Sequence, residues 1–267
     1  MASATEMQIE VNSGKLPCIK FGSGKKPLIM IPGLRTASIE GTGKLAARYY
    51  RIFSKDYTVY MLDKKDKLPE KCTIRDIADD MSAAMEKLGI KDAYVFGASQ
   101  GGAVAQEIAI NHPELVGKLV LAVTTSRVNS TIEEAINTWI GLIKKGDVDG
   151  FTKDYMYRGY SEKYIKKYRL FLPLTLKLQK MMPTERFINL AEACLTINTY
   201  DRLGEIKCPV LVLGAEQDRV VSGEASHEIA DKLGCELYMY EGLSHEAYNE
   251  AKDFNRRVYD FFAKDNA

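Results

Sequence analysis

The sequence predicts an α/β protein, a mostly parallel sheet of eight strands with helices on both faces, interrupted once by a purely helical insertion. Three observations carry that reading. Short apolar runs rich in β-branched and aromatic residues recur along the chain, most of them are followed by amphipathic stretches of helical period, and between about Ser126 and Tyr200 the strand signal stops altogether. With 267 residues, 46% of them hydrophobic, the chain can bury one large core and still carry an insertion.

Residues 7–21 read as two short strands around Asn12-Ser13-Gly14, a hairpin-like start, and the fully apolar strand 27–31 follows until Pro32-Gly33 breaks it. Residues 44–53 read as a helix and 57–62 as a strand. Residues 73–88 are a helix on which Ile74, Ile77, Ala78, Met81, Ala84, Met85 and Leu88 hold helical spacing. Thr73 is its expected N-cap, with Asp76 at the capping-box position. Strand 93–96, helix 100–111 and strand 119–123 complete the first half. The insertion carries helical patterns at 132–144, 148–157, 162–179 (with Pro173 inside) and 185–197. Strand 209–214, helix 224–233, strand 236–240 and a terminal helix 248–262 then restore the alternation. The expected division is a core of residues 1–125 and 201–267 with a helical unit at 126–200.

Thirty-seven basic residues against 36 acidic ones leave a net charge of +1. No global field draws such a chain to nucleic acid or to an anionic membrane. Cys18, Cys72, Cys194, Cys208 and Cys235 are odd in number, scattered, and form no Cys-x-x-Cys pair, which argues against a disulfide framework and a zinc site and fits a reducing cytoplasm. The first residues lack the basic and apolar regions of a signal peptide, and no uncharged apolar run reaches the roughly 18 residues of a membrane span. The pattern does not choose between monomer and dimer.

The chemistry concentrates at Gly97-Ala98-Ser99-Gln100-Gly101, where a strand runs directly into a helix. A serine on so sharp a turn needs small neighbours, because bulk at Gly97, Ala98 or Gly101 would collide with the adjoining strand and helix. Its hydroxyl would project above a helix N-terminus, where backbone N–H groups favour negative charge. A plain tight turn and a dinucleotide-binding loop are the rivals, but the Gly-x-Gly-x-x-Gly spacing is missing here.

A serine nucleophile requires a base, and the chain has three histidines, His112, His227 and His245. His112 ends the helix that Ser99 begins, and His227 lies inside a helix. His245 follows a strand and precedes the last helix, on the sheet edge that carries Ser99, and is the preferred base. Asp218 and Glu216, in Gly214-Ala215-Glu216-Gln217-Asp218, are candidates for the orienting acid; Asp218, at the loop apex, is preferred.

The chain order Ser99, Asp218, His245 resembles that of the α/β-hydrolase superfamily, and nearly the whole chain outside the insertion takes part in the resemblance. Residues 27–34, the run Asn111-His112-Pro113-Glu114-Leu115-Val116 and residues 206–212 match further family segments. The resemblance implies an oxyanion hole made by the backbone N–H groups of Leu34 and Gln100, neither needing a particular side chain, and a cap formed by the insertion. It also implies a capped serine esterase or lactonase with no cofactor and no metal, acting on a small-molecule ester of short to medium acyl chain or a lactone. The same triad would serve a carbon–carbon bond hydrolase, an aminopeptidase or a non-catalytic receptor. The aminopeptidase would call for cap carboxylates, and the basic cap argues against it.

Two features depart from the family pattern. Ile31-Pro32-Gly33-Leu34-Arg35 lacks the His-Gly signature of one lipase group, and Asp63-Lys64-Lys65-Asp66-Lys67 lacks the glycines common in capped relatives, which leaves the path of that loop open. Trp139, Tyr155, Met156, Tyr157, Tyr160, Tyr164 and Tyr168 supply the insertion with aromatic and apolar material for a pocket or for packing. The basic stretch 158–180 reads first as a solvated face and, as the sharper alternative, as a lid for lipid or for an anionic substrate. Arg35 reads as structural, with a substrate carboxylate as its alternative partner.

Overall fold

The computed structural model describes residues 4–12, 14–169, 171 and 182–264. Eight strands form one sheet: β1 (Thr5–Val11), β2 (Gly14–Gly22), β3 (Lys26–Ile31), β4 (Tyr57–Leu62), β5 (Ala93–Ala98), β6 (Val116–Ala122), β7 (Val210–Ala215) and β8 (Glu236–Tyr240). Their order is β1-β2-β4-β3-β5-β6-β7-β8. The first two strands pair antiparallel with each other, β2 is antiparallel to β4, and every later pairing is parallel. Period-2 alternation divides the central strands between two cores. Ile29, Ile31, Val95, Leu119 and Leu121 enter one, while Leu28, Met30, Phe96 and Val120 enter the other.

On the first face lie α2 (Ile74–Lys87), α3 (Gln100–Asn111) and α8 (Gly223–Leu233); on the second lie α1 (Gly43–Tyr49) and α10 (Phe254–Ala263). Helix α2 starts as its sequence predicts. The Thr73 hydroxyl accepts from the Asp76 N–H while the Asp76 carboxylate accepts from the Thr73 N–H, a complete capping box.

Two predicted helices are broken. The stretch expected over 44–53 ends as α1 at Tyr49 and continues as a separate 3-10 turn, Arg51–Phe53, which seats the fully buried Phe53 against Tyr50, Tyr57 and Tyr259. The stretch expected over 248–262 divides into a short α9 (Ala247–Glu250) and α10, with Ala251 in extended conformation between them. That break turns Phe254 into the core, where it stacks on Tyr240 and meets Phe96 and Tyr248. An unbroken helix would keep a single facial stripe.

Between β6 and β7 a helical cap is inserted, with α4 (Ser130–Lys144), α5 (Val148–Gly159), α6 (Glu162–Tyr168) and α7 (Thr184–Cys194). Its two ends meet at the sheet. Arg127 and Asn198 form a β-bridge, and the N–H groups of Thr199 and Tyr200 both donate to the Ser126 carbonyl. The predicted continuation of α6 past Tyr168 falls mostly on residues 172–179, outside the described residues, as does much of the basic stretch 158–180. Arg158, at its start, is buried between Glu134 and Asp154 and does not belong to a solvated face.

Candidate active site

The carboxyl ends of β3, β5, β6 and β7 stand side by side: Ile31 opposes Gly97, Ala98 opposes Ala122, and Ala122 opposes Leu213. Ser99 leaves β5 at φ 53° and ψ −123°, a region that costs a non-glycine residue of order 1–3 kcal/mol, and α3 begins at the next residue. Crowding explains its neighbours. A Cβ on Gly97 would stand 2.8 Å from the Gly102 Cα, and one on Gly101 would stand 2.7 Å from the carbonyl carbon of Ile31. Thr124, at the end of β6, donates its hydroxyl to the Ser99 carbonyl at 2.7 Å and braces the turn.

Three of the predicted side chains come together. His245 Nε2 lies 2.8 Å from Ser99 Oγ, and its Nδ1 lies 2.8 Å from Asp218 Oδ2. Asp218 is itself fixed, because its Oδ1 accepts the N–H groups of Val220 and Val221 at 2.8 and 3.0 Å. Burial pushes the imidazole pKa of His245 down, but the charge of Asp218, its hydrogen bond and the charge of Glu246 together outweigh burial and hold it above the usual value.

The other candidates lie elsewhere. His112 caps the far end of α3, about 18 Å along a 12-residue helix, with Nδ1 3.7 Å from Glu114. His227 faces Glu216 at 3.6 Å, both partly exposed. Among the described residues Glu86, His112 and Glu114 bring possible metal-ligand atoms within 4.8 Å of one another, two of the three being exposed, at that same distant end.

Gln100 follows Ser99 directly, and Leu34 borders the neighbouring cavity. Gln100 N–H is the first of α3, where helix geometry leaves it without an intrahelical acceptor. Gly33 passes so close that a Cβ on it would stand 3.0 Å from Ser99 Cβ. The side chain of Gln100, unneeded for its backbone donor, reaches the cap, with Nε2 2.7 Å from the Leu190 carbonyl and 3.2 Å from Cys194 Sγ.

The loop that lacks the family glycines is held by its charged residues. Asp63 accepts the Ile39 N–H at 3.1 Å and Asp66 accepts the Lys15 N–H at 2.7 Å. Lys65 is paired with Asp80 at 3.0 Å. Lys64, 3% exposed, places its Nζ 2.6 Å from the Pro32 carbonyl and 2.7 Å from that of Gly33, in the loop that follows β3. Sequence reasoning missed this contact, since nothing local says which carbonyl a lysine 31 residues away will meet.

Beside the triad lies a cavity of about 390 Å³, bordered by Gly33, Leu34 and Ala98 below and by Trp139, Phe151 and Tyr155 of the cap above. Tyr160 also lines it. Tyr157, by contrast, is exposed, and Tyr164 and Tyr168 continue an aromatic row from Tyr160 with ring centroids 4.9 and 4.5 Å apart. Arg35 reaches the cavity wall from an exposed position and donates to the Ala37 carbonyl at 3.3 Å. Glu246 was also missed. Buried beside His245, its carboxylate accepts from Tyr155, Tyr248 and Asn249. Burial and then the Glu246 charge raise both phenols well above their usual range, so they remain protonated donors. All five cysteines are free thiols, and burial pushes them up to about 11 or 12, away from reactive thiolate.

The family model described as "Serine aminopeptidase, S33" matches residues 39–252. "Putative carbamate hydrolase RutD" of Caulobacter segnis is 28% identical over 167 residues, a match spanning 62% of each chain and so less than two thirds of that relative's length. Solved structures share the fold, among them these two. An α/β-hydrolase enzyme from a Medee basin deep-sea metagenome library superposes with a TM-score of 0.86 at 18% identity, over 98% of both chains. The enol-lactonase of Burkholderia xenovorans LB400 gives 0.84 at 20% identity, over 97% of this chain and all of that one.

Proposed function

From the premise that this chain belongs to the serine aminopeptidase S33 family of α/β-hydrolases, we propose that it hydrolyses carboxylic esters, of short to medium acyl chain or in lactone form, through an acyl-enzyme on Ser99. The observation that carries the reading is the continuous hydrogen-bonded line from Asp218 through His245 to Ser99 beside a largely apolar cavity. His245 takes the Ser99 proton as Oγ attacks the carbonyl carbon, and Asp218 holds the imidazole in the required tautomer and offsets the charge it gains. The N–H groups of Leu34 and Gln100 receive the oxyanion. His245 then protonates the leaving alcohol, and a water activated by the same imidazole releases the acid.

The family description alone would suggest peptide substrates. Capturing a substrate ammonium would call for carboxylates in the cap, whereas the cavity-lining residues that the described cap contributes are aromatic, apolar or hydroxylic. Glu246, the carboxylate on the wall, comes from the core and already receives three neutral donors. The lactone form of the reading draws support from the enol-lactonase that shares the fold. The same catalytic unit is proposed to work with a core of residues 1–125 and 201–267 under a cap of 126–200. A panel of acyl esters, lactones and aminoacyl amides tests the assignment. Turnover of esters or lactones with inert amides is the expected result, and faster cleavage of aminoacyl amides would transfer the protein to the peptidases.

A further inference from the structure

Lys64 is an expensive residue to place where it stands. It is nearly inaccessible, and its ammonium is spent on two main-chain carbonyls, those of Pro32 and Gly33. The Gly33 carbonyl belongs to the same peptide unit as the Leu34 N–H. In a trans peptide the C=O and N–H bonds point in opposite directions, so a cation seated on the Gly33 oxygen faces away from whatever the Leu34 N–H meets. A donor to the carbonyl draws electron density out of the peptide and makes its N–H the stronger donor. Holding two successive carbonyls with one ammonium also fixes the orientation of both peptides, and Lys64 is anchored in turn, since Arg186 of the cap donates to its carbonyl at 2.9 Å and to that of Asp66 at 2.8 Å.

We infer that Lys64 is a positioning residue for the oxyanion hole: its ammonium orients and polarises the Gly33–Leu34 peptide, so that the Leu34 N–H binds the developing oxyanion more strongly than it binds the substrate carbonyl. The inference rests on the reading of Leu34 as an oxyanion donor given above. An interaction of this kind strengthens as charge develops, and it therefore acts on kcat more than on KM.

The device carries a pH signature. Burial pushes the Lys64 pKa down to about 8; Asp63 and Cys194 oppose that fall, and Arg35 and Arg186 add to it. Arg186 is itself lowered by burial, with Asp63 and Asp66 opposing that fall. The Cys194 thiol is pushed up to about 12. Among the described residues named here, Lys64 is the one brought down to about 8, and its polarising charge is lost as pH rises through that value.

The test follows kcat and KM for a short-chain 4-nitrophenyl ester from pH 6.5 to 9.5 in the wild type, Lys64→Met, Lys64→Arg and Ser99→Ala. The expected result is a wild-type kcat that declines above pH about 8, a Lys64→Met kcat lower by about 10- to 100-fold with KM within about threefold and no alkaline decline, and a Lys64→Arg profile that holds its kcat to higher pH. A Lys64→Met enzyme with wild-type kcat, or with the wild-type alkaline limb intact, overturns the inference. A Lys64→Arg enzyme that keeps the decline near pH 8 overturns it as well. Should Lys64→Met fail to fold, inhibition of the wild type by a trifluoromethyl ketone decides. Its affinity must weaken through pH 8 relative to substrate KM, and an unchanged ratio rejects the role. Ser99→Ala separates the two levels: activity surviving that change refutes the serine mechanism itself, whereas an inactive Ser99→Ala beside an unaffected Lys64→Met refutes only Lys64.

Discussion

Ser99, held at positive φ between a strand and a helix, has its hydroxyl aimed at His245 and its backbone braced by Thr124. Replacing it by alanine keeps the backbone and removes the nucleophile, so Ser99→Ala is expected to fold normally and lose about 10³-fold or more of the activity, measured as kcat on any ester the wild type turns over. The acid is tested by a pair of variants. Asp218→Asn should lower kcat by several orders of magnitude through a wrongly held imidazole, while Glu216→Gln, exposed and facing His227, should change it little. The reverse ranking would move the role to Glu216.

The pH dependence is a residue property too. His245 must be neutral to accept the serine proton, so kcat/KM rises as pH rises through its pKa. With Asp218 and Glu246 holding that pKa above the usual value near 6.5, the acid limb should lie above about 6.5. Glu246→Gln removes one of the charges that raise it and should shift the limb toward lower pH, read from kcat/KM profiles of the two proteins. A limb that stays put would mean that the Glu246 charge is not felt at the imidazole.

Elements decide how tightly those residues are held. The joint of β5 and α3 packs against the end of β3 with no room for a methyl group at Gly101, and that contact is backbone to backbone, so neither side can swing away. Gly101→Ala should therefore destabilise the fold by about 3 kcal/mol or more, seen as a lower denaturation midpoint or as failure to accumulate folded protein. A midpoint unchanged within error would show that the joint is looser than its geometry.

Helix α7 latches the cap to the core from one side: Asn189 pairs with Cys72 N–H and the Pro69 carbonyl, and Thr196, just beyond it, accepts from Ile74 N–H. The other side is tied by the Gly159 carbonyl to Glu246 N–H and by Ser161 to Glu250. Such ties explain what could and could not be read in advance. The strands and most helices were legible because apolar period is a local property, and Ser99, Asp218 and His245 were legible because the sheet brings the ends of neighbouring strands to one edge. The break before Phe254 was not, since it answers to Tyr240 and Phe96 rather than to its own neighbours. Nor were the contacts of Lys64 and Glu246, which depend on a loop and a cap distant in sequence.

At the scale of the whole molecule, the cap and the sheet edge together enclose the space that selects a substrate. The cavity of about 390 Å³ lies toward the small end of the range for small-molecule sites, and cap aromatics such as Trp139, Phe151 and Tyr155 line it. Its wall includes exposed Leu45 and Tyr49 of α1 and Val148 of α5, so an acyl chain can extend between α1 and the cap, but only along an apolar path whose gain per methylene soon ends at solvent. Among the described residues no helix is long and apolar enough to cross a membrane. Activity on 4-nitrophenyl esters should accordingly be highest from acetyl to hexanoyl and fall steeply toward palmitoyl. An organophosphonate should label Ser99 one to one, and His245→Ala should suppress both labelling and turnover. A rate that climbs with chain length to palmitoyl would mean that the cap opens far wider than this arrangement. Stoichiometric labelling at Ser99 with negligible turnover of every ester, lactone and thioester would instead describe a protein that binds its ligand on a hydrolase frame, with the acyl-enzyme formed but released too slowly to count as catalysis.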